Sequence, residues 1–209
     1  MNPHPVHLGD PPSSILNPLL KAGRERAVFF IYRHVVLRVK CDMGKRREAR
    51  ERAVQFLFQH DLNPPENLEE ALSHFWLTQQ ATAIAGEKGG ANWGQEVELP
   101  PPTSQEVATR IFADKLIRGV LEHRPELDAR ITHHAENWDL HRMAVVDRNI
   151  LRLAIYEMLH RDDIPPVVSI NEAVDIAKKF STQDSGKFVN GILDKIKGEL
   201  VRSARIGRQ

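Results

Sequence analysis

Apolar and polar positions alternate with a helical period along most of the chain. From Lys45 to about His60, the apolar positions Ala49, Ala53, Phe56 and Leu57 fall on one side of a 3.6-residue period, which predicts an amphipathic helix. Asn63-Pro64-Pro65 ends it. Glu66 to Leu77 repeats the pattern with Leu68, Ala71, Leu72, Phe75 and Trp76. A further helix opens at Thr103 or Ser104 as N-cap and carries Val107, Ala108, Ile111, Phe112, Leu116 and Val120. Pro125, at an N1-type position, starts the next, with Leu127, Ile131, Ala135 and Trp138 expected inward. Met143 to His160 is apolar nearly all round, as a buried helix must be, and is expected at the centre of the fold. Pro165-Pro166 lies in a predicted turn from Asp162 to Val168. Ser169-Ile170-Asn171-Glu172 then fits a capping box opening a helix that runs to about Phe180. After a polar turn from Ser181 to Gly186, the positions Phe188, Val189, Ile192, Leu193 and Ile196 mark a last helix. The sum is about seven helices and no convincing strand. The expected class is all-α, two packed helical subdomains around the buried central helix.

The ends and one interior stretch break the pattern. Residues 1–42 hold five of the 13 prolines within their first 18 positions and keep no period. They are expected to be either a disordered arm or an upstream extension before a start at Met43. Residues 78–103, rich in Gly, Ala and Gln and closing on Pro100-Pro101-Pro102, are expected to form a long surface loop. The tail, with Arg202, Arg205 and Arg208, is expected to fray.

Composition narrows the function classes. The 209 residues are 41% hydrophobic and 27% charged, which excludes wholesale disorder. The longest apolar stretch, Val28 to Val39, contains Arg33, His34 and Arg38 and is too short and too charged to cross a bilayer. A lone cysteine, Cys41, allows neither an internal disulfide framework nor a thiolate zinc site. The opening Met-Asn-Pro-His-Pro lacks the basic-then-apolar order of a signal peptide, so a cytoplasmic protein is expected.

The formal charge of +1 hides an asymmetry: residues 1–60 carry a net +6, residues 61–107 a net −7, and residues 108–209 a net +2. The densest basic run is Lys45-Arg46-Arg47-Glu48-Ala49-Arg50-Glu51-Arg52. It reads either as a solvated helix start laced with ion pairs or as the place where a polyanion docks.

Catalytic signatures are missing. There is no GxGxxG, no GxxxxGK[ST], no GxSxG and no HExxH. His123, His133, His134 and His141 cluster in sequence without the usual ligand spacing and read as surface histidines, so no metal and no cofactor are expected. Asp162-Asp163 reads as turn chemistry. Binding remains. Arg46 and Arg50 share a helix face, with Arg47 beside them and free N–H groups at the helix start. Phe58, two turns on, reads either as packing or as a base-stacking platform. The run from Ser181 to Gly191 offers Asp184, Lys187 and Phe188 where two helices meet, either as a cap with a core residue or as a second phosphate contact.

The segment Arg46-Arg47-Glu48-Ala49-Arg50-Glu51-Arg52-Ala53-Val54-Gln55-Phe56-Leu57-Phe58 resembles the opening of the bacterial transcription antitermination factor NusB family. So do Leu151-Arg152-Leu153-Ala154-Ile155-Tyr156-Glu157, Ile164-Pro165, Ile170-Asn171-Glu172-Ala173 and Lys187-Phe188-Val189-Asn190-Gly191-Ile192-Leu193-Asp194. The resemblance spans roughly residues 45–197 and is most specific in its C-terminal half.

It implies an all-helical fold of two subdomains, without enzymatic activity. It further implies binding of single-stranded boxA-type RNA in nascent transcripts, notably of ribosomal RNA operons, as a heterodimer with the ribosomal protein NusE, in a complex with NusA, NusG and RNA polymerase. Carried over by position, the RNA surface would use Arg46, Arg47, Arg50, Phe58, Asp184, Lys187 and Phe188, and the NusE contact Asp147 and Arg148. Phe58 stands where the family often has Tyr, which drops a hydroxyl and keeps the ring. Some relatives are dimeric, so a free homodimer is also within the expectation. The residues before Met43 and the long acidic stretch at 78–103 depart from the family pattern. Two rivals compete. A ribosomal RNA methyltransferase lacks its Gly-rich cofactor domain here. A non-catalytic ribosome-assembly or protein-interaction module with incidental RNA contact is the alternative.

Overall fold

A computed structural model of the chain describes residues 43–87, 99–135 and 138–206. The expectations for residues 1–42, and for the stretch 88–98 within the predicted loop, lie outside the described residues. Among the described residues there are seven α-helices and no strand: α1 Met43–Leu62, α2 Leu68–Glu87, α3 Ser104–Glu122, α4 Arg124–His134, α5 Val145–His160, α6 Pro166–Phe180 and α7 Gln183–Ile206. A 3-10 turn, Leu140–Arg142, leads into α5.

The apolar stripes become one continuous core. Ala49, Ala53, Phe56 and Leu57 of α1 are all buried, as their period demands. So are Leu72 and Phe75 of α2, and Leu127 and Ile131 of α4. On α3 the buried face is rotated slightly from expectation. Phe112, Ala113, Leu116, Ile117 and Val120 are inside, while Val107, Ala108 and Ile111 are half-buried. The central role of α5 holds: it packs against α1, α3, α4, α6 and α7. Its buried face is not purely apolar, because Asp147, Asn149, Arg152 and Glu157 are buried with Ile150, Leu151, Leu153, Ala154 and Ile155. Each of these polar groups meets a partner described below.

Several boundaries differ from the sequence reading. Helix α2 continues ten residues past Leu77, so 78–87 is helical rather than loop. Its extension is held where Gln79 accepts from Arg52 of α1 and Gln80 Nε2 donates to Pro100 O at 2.7 Å. Thr103 caps α3 in a full capping box with Glu106. The Ser169–Glu172 spacing does not cap α6, which starts three residues earlier with Pro166 at its first turn. Ser169 and Glu172 are used for tertiary bonds instead. Helix α7 begins at Gln183, inside the turn expected from Ser181 to Gly186, because Thr182 Oγ1 accepts from Ser185 N at 3.2 Å and Ser185 Oγ donates to buried Asp147 at 2.9 Å. The tail is helical to Ile206, and Arg208 lies outside the described residues. Trp138, read as inward, lies beyond the end of α4 and is 55% exposed.

Helices α3 and α5 cross at Gly119. A Cβ there would lie 1.9–2.4 Å from the Tyr156 ring. That ring lies against His123 and His160, at 5.7 and 5.3 Å between centroids. Glycine is used for the close approach, since alanine would otherwise favour the helix by about 0.5–1 kcal/mol. Gly119→Ala is therefore expected to destabilise the protein by about 1–3 kcal/mol through overpacking. In a Tyr156→Ala background the sign should reverse, and the same glycine-to-alanine change should stabilise. Denaturant unfolding of the four proteins in the cycle checks this, and destabilisation of equal size in both backgrounds would refute the steric account.

Candidate nucleic-acid interface

The basic start of α1 is the first part of the candidate surface, and most of its charge is used within the protein. Lys45 Nζ donates to Glu48 at 2.8 Å. Arg47 makes a two-pronged contact with Glu172 of α6, both bonds 2.9 Å, and also reaches Asp175 at 2.9 Å. The Glu172 carboxylate beside it raises the Arg47 pKa further, so the side chain stays cationic at any physiological pH. Arg52 bonds Gln55 and Gln79. Arg46 differs: among the described residues it has no hydrogen bond. Its guanidinium lies 5.5 Å from the Phe112 centroid, and its buried Nε has no partner.

Arg50 corrects the sequence expectation. The residue is 3% exposed, with Nε donating to the fully buried Glu157 Oε1 at 2.8 Å. The second Glu157 oxygen accepts from Ser169 Oγ at 2.7 Å. Arg50 thus bonds α1 to α5 and, through Ser169, to α6. A phosphate outside the protein cannot reach it in this arrangement. The i,i+4 spacing puts Arg46 and Arg50 on one side of the helix, but Arg50 lies a turn deeper along it, over the core.

The second part is the start of α7. The Asp184 and Lys187 side chains are 90% and 83% exposed and lie 3.6 Å apart. Phe188 is half-buried, with its ring 5.5 Å from that of Trp138. Sequence reasoning missed Trp138 as a surface aromatic. Its helical spacing from Ile131 suggested an inward face, but α4 stops at His134. Phe58 is half-buried on α1.

Helix α6 links the two parts. Arg47 pairs with Glu172 and Asp175, and one turn on Glu51 accepts from Lys179 Nζ at 2.7 Å, so α1 and α6 advance in the same sense. Lys178 packs its stem against Gly186 in the first turn of α7.

Asp147 and Arg148, expected at a partner contact, face inward. Asp147 is 7% exposed and accepts from Ser185. Arg148 donates to Asp61 Oδ2 at 3.0 Å and to Leu140 O at 3.2 Å. Asp61 also takes Arg152 Nη1 at 2.8 Å and Arg124 Nη2 at 2.9 Å, and Asn149 Nδ2 at 3.2 Å. Arg152 in turn holds Asp128 through two bonds, 2.6 and 2.9 Å. Burial pushes the Asp61 carboxyl up, but its bonds to Arg148 and Arg152 and the Arg124 charge outweigh that and hold it below the usual carboxylate range. This network fixes the start of α5 against the end of α1. No local pattern in the sequence signals it, because its members are spread from residue 61 to residue 152.

No helix among the described residues is long and apolar enough to cross a membrane. A family model described as the NusB family matches residues 47–197. The chain is 44% identical over 158 residues to the transcription antitermination protein NusB of Geobacter sulfurreducens, an alignment covering 76% of this chain and 97% of that protein. It is 42% identical over 159 residues to the protein of the same name from Bacillus velezensis, covering 75% and 98%. Among solved structures it resembles T. maritima NusB, with 37% identity, a TM-score of 0.56, and coverage of 74% of this chain and 91% of that one. It also resembles a chain from a crystal structure of the antitermination factors NusB and NusE in complex with double-stranded RNA, with 28% identity, a TM-score of 0.52, and coverage of 74% and 97%.

Proposed function

This chain belongs to the NusB family, and from that membership we propose that it is a non-catalytic transcription antitermination factor of the cytoplasm. It binds boxA-type RNA of nascent transcripts together with the ribosomal protein NusE. In the complex with NusA, NusG and RNA polymerase it helps the enzyme read through terminators. The observation that carries the reading is the array of charged and aromatic side chains at the start of α7. An exposed cation, Lys187, directly precedes Phe188 in the chain, and the Phe188 ring neighbours that of Trp138, all within the matched region.

Such an array suits single-stranded RNA, where a lysine meets a phosphate and a ring takes an unstacked base. Asp184 beside Lys187 can accept from a base edge or a ribose hydroxyl. Arg46, without a hydrogen bond among the described residues, is the α1 arginine best able to meet phosphate, and Arg47 would do so by exchanging one of its carboxylates. Phe58 extends the surface along α1 beyond the Glu51–Lys179 pair, about 10 Å further on at the helical rise. Asp147 and Arg148 would act on the NusE contact by positioning that surface.

The test is fluorescence anisotropy of the full chain with a boxA-type single-stranded RNA, a scrambled strand and a duplex, with and without NusE, across salt concentrations. Selective binding that NusE strengthens is expected. Trp138→Ala should weaken it about tenfold, as the loss of one stacked base does. Lys187→Ala should reduce the salt slope by about one phosphate. Binding indifferent to sequence and to NusE would overturn the proposal and favour the assembly module.

A further inference from the structure

The crossing at Gly119 has a second result one turn along each helix. His123 follows Gly119 by four residues, and His160 follows Tyr156 by four, so the helix period places the two imidazoles over the same side of the crossing. Their ring centroids lie 4.1 Å apart. Glu126, in the first turn of α4, closes the group, with Oε2 at 3.3 Å from His160 Nε2. A ligand atom from each of the three side chains lies within 4.8 Å of the other two.

We propose that His123, Glu126 and His160 form a binding site for a divalent transition-metal ion of the zinc class. Ligand atoms about 2.0–2.1 Å from a tetrahedral ion sit about 3.3–3.4 Å from one another, and the His160–Glu126 separation already has that length. His123 needs only a side-chain adjustment to join. Its Nδ1 lies 3.0 Å from Gly119 O, so Nδ1 carries the hydrogen and donates it, which leaves the Nε2 lone pair for a metal. That is the outer-shell bond that orients a ligating histidine. Tyr156 stacks on His160 at 28° between ring planes and fixes the second imidazole. Two imidazoles and one carboxylate select zinc, cobalt, nickel or copper over magnesium and calcium, which prefer oxygen. The positive charge of Arg124, next to His123 in the chain, is directed to Asp61 at 2.9 Å and Asp128 at 3.9 Å. Three protein ligands leave a fourth position for water.

The ligands come from the α3–α4 junction, from α4 and from the end of α5, so the ion would tie these elements together. A second histidine group, His133, His134 and Glu199, is a poorer candidate. There Glu199 already accepts from Arg130 at 3.1 Å and lies 3.0 Å from His134, and a cation would have to displace the arginine. The inference does not depend on RNA binding.

The experiment uses the full-length, untagged, metal-stripped protein titrated with Co2+, read by the visible absorption of four-coordinate cobalt and then by displacement with Zn2+. One equivalent of cobalt is expected to give that spectrum. At a hundredfold excess of Zn2+ over Kd, the Tm should rise by about 5–10 °C. Glu126→Gln and His160→Gln should each weaken binding about tenfold or more, whereas His134→Gln should not. Glu126 is exposed, so its variant keeps the fold even where His160→Gln does not. Absence of the four-coordinate spectrum, or its persistence unchanged in Glu126→Gln, would overturn the proposal.

Discussion

Replacing Arg50 by alanine is expected to lower the stability of the protein by about 3–5 kcal/mol, the range for breaking one side of a buried ion pair. Arg50 and Glu157 have side chains 3% and 0% exposed, and their bond is 2.8 Å. Removing the guanidinium leaves the Glu157 carboxylate inside the core with the Ser169 hydroxyl as its remaining hydrogen-bond donor. The cost is the desolvation of a charge that has lost its counter-ion, not merely the loss of one bond. At about 2–4 °C per kcal/mol for a chain of this size, Tm should fall by roughly 10 °C. Arg50→Met combined with Glu157→Leu should recover much of the loss, because both charges leave together. Thermal and denaturant unfolding of the single and double variants measures this. The RNA salt slope of the folded Arg50 variant should match that of the parent protein. A stable Arg50→Ala protein with a flattened slope would show instead that the guanidinium turns outward to phosphate.

Asp61→Ala is the second large loss, again about 3–5 kcal/mol. Asp61 neutralises charge from Arg124, Arg148 and Arg152 at once. Without it Arg152, whose side chain is 3% exposed, keeps Asp128 as its one carboxylate and the Asn149 amide oxygen at 3.1 Å, and Arg148 keeps a backbone carbonyl. Asp61→Asn, which keeps the shape and removes the charge, isolates the electrostatic part. The sign follows from the depressed folded-state pKa. The contribution is fully present above the unfolded carboxylate pKa of about 4 and is lost as pH falls through the lower folded value. The stability difference between the parent protein and Asp61→Asn should thus be largest near neutrality and shrink below about pH 4. Denaturant unfolding at a series of pH values tests it, and a difference that stays constant down to about pH 2 would exclude Asp61 as the titrating group.

These two predictions rest on residues whose roles the sequence does not reveal. Arg50 looks like part of an exposed arginine cluster, and its partner lies 107 residues away. The capping spacing of Ser169 and Glu172 is real as a pattern. Pro166, which suits the first turn of a helix, starts α6 earlier and frees both side chains to bond α5 and α1. Trp138 misleads for a related reason: the period from Leu127 and Ile131 continues through it, but the helix does not. The start of α7 is early because Ser185 finds Asp147, again a contact made by tertiary packing.

The all-α class, the number and order of the helices, the central place of α5 and the family are all legible in the residues alone. Each is written in local periodicity, in turn residues or in contiguous motifs, and local signals survive whatever the helices later pack against. Which charged residues lie inside and which remain available is settled by the packing. The pairs Arg50–Glu157, Arg152–Asp61 and His123–His160 join helices far apart in the chain. A buried charge is tolerable only where a partner is brought within bonding distance, and the packing of the helices sets that distance.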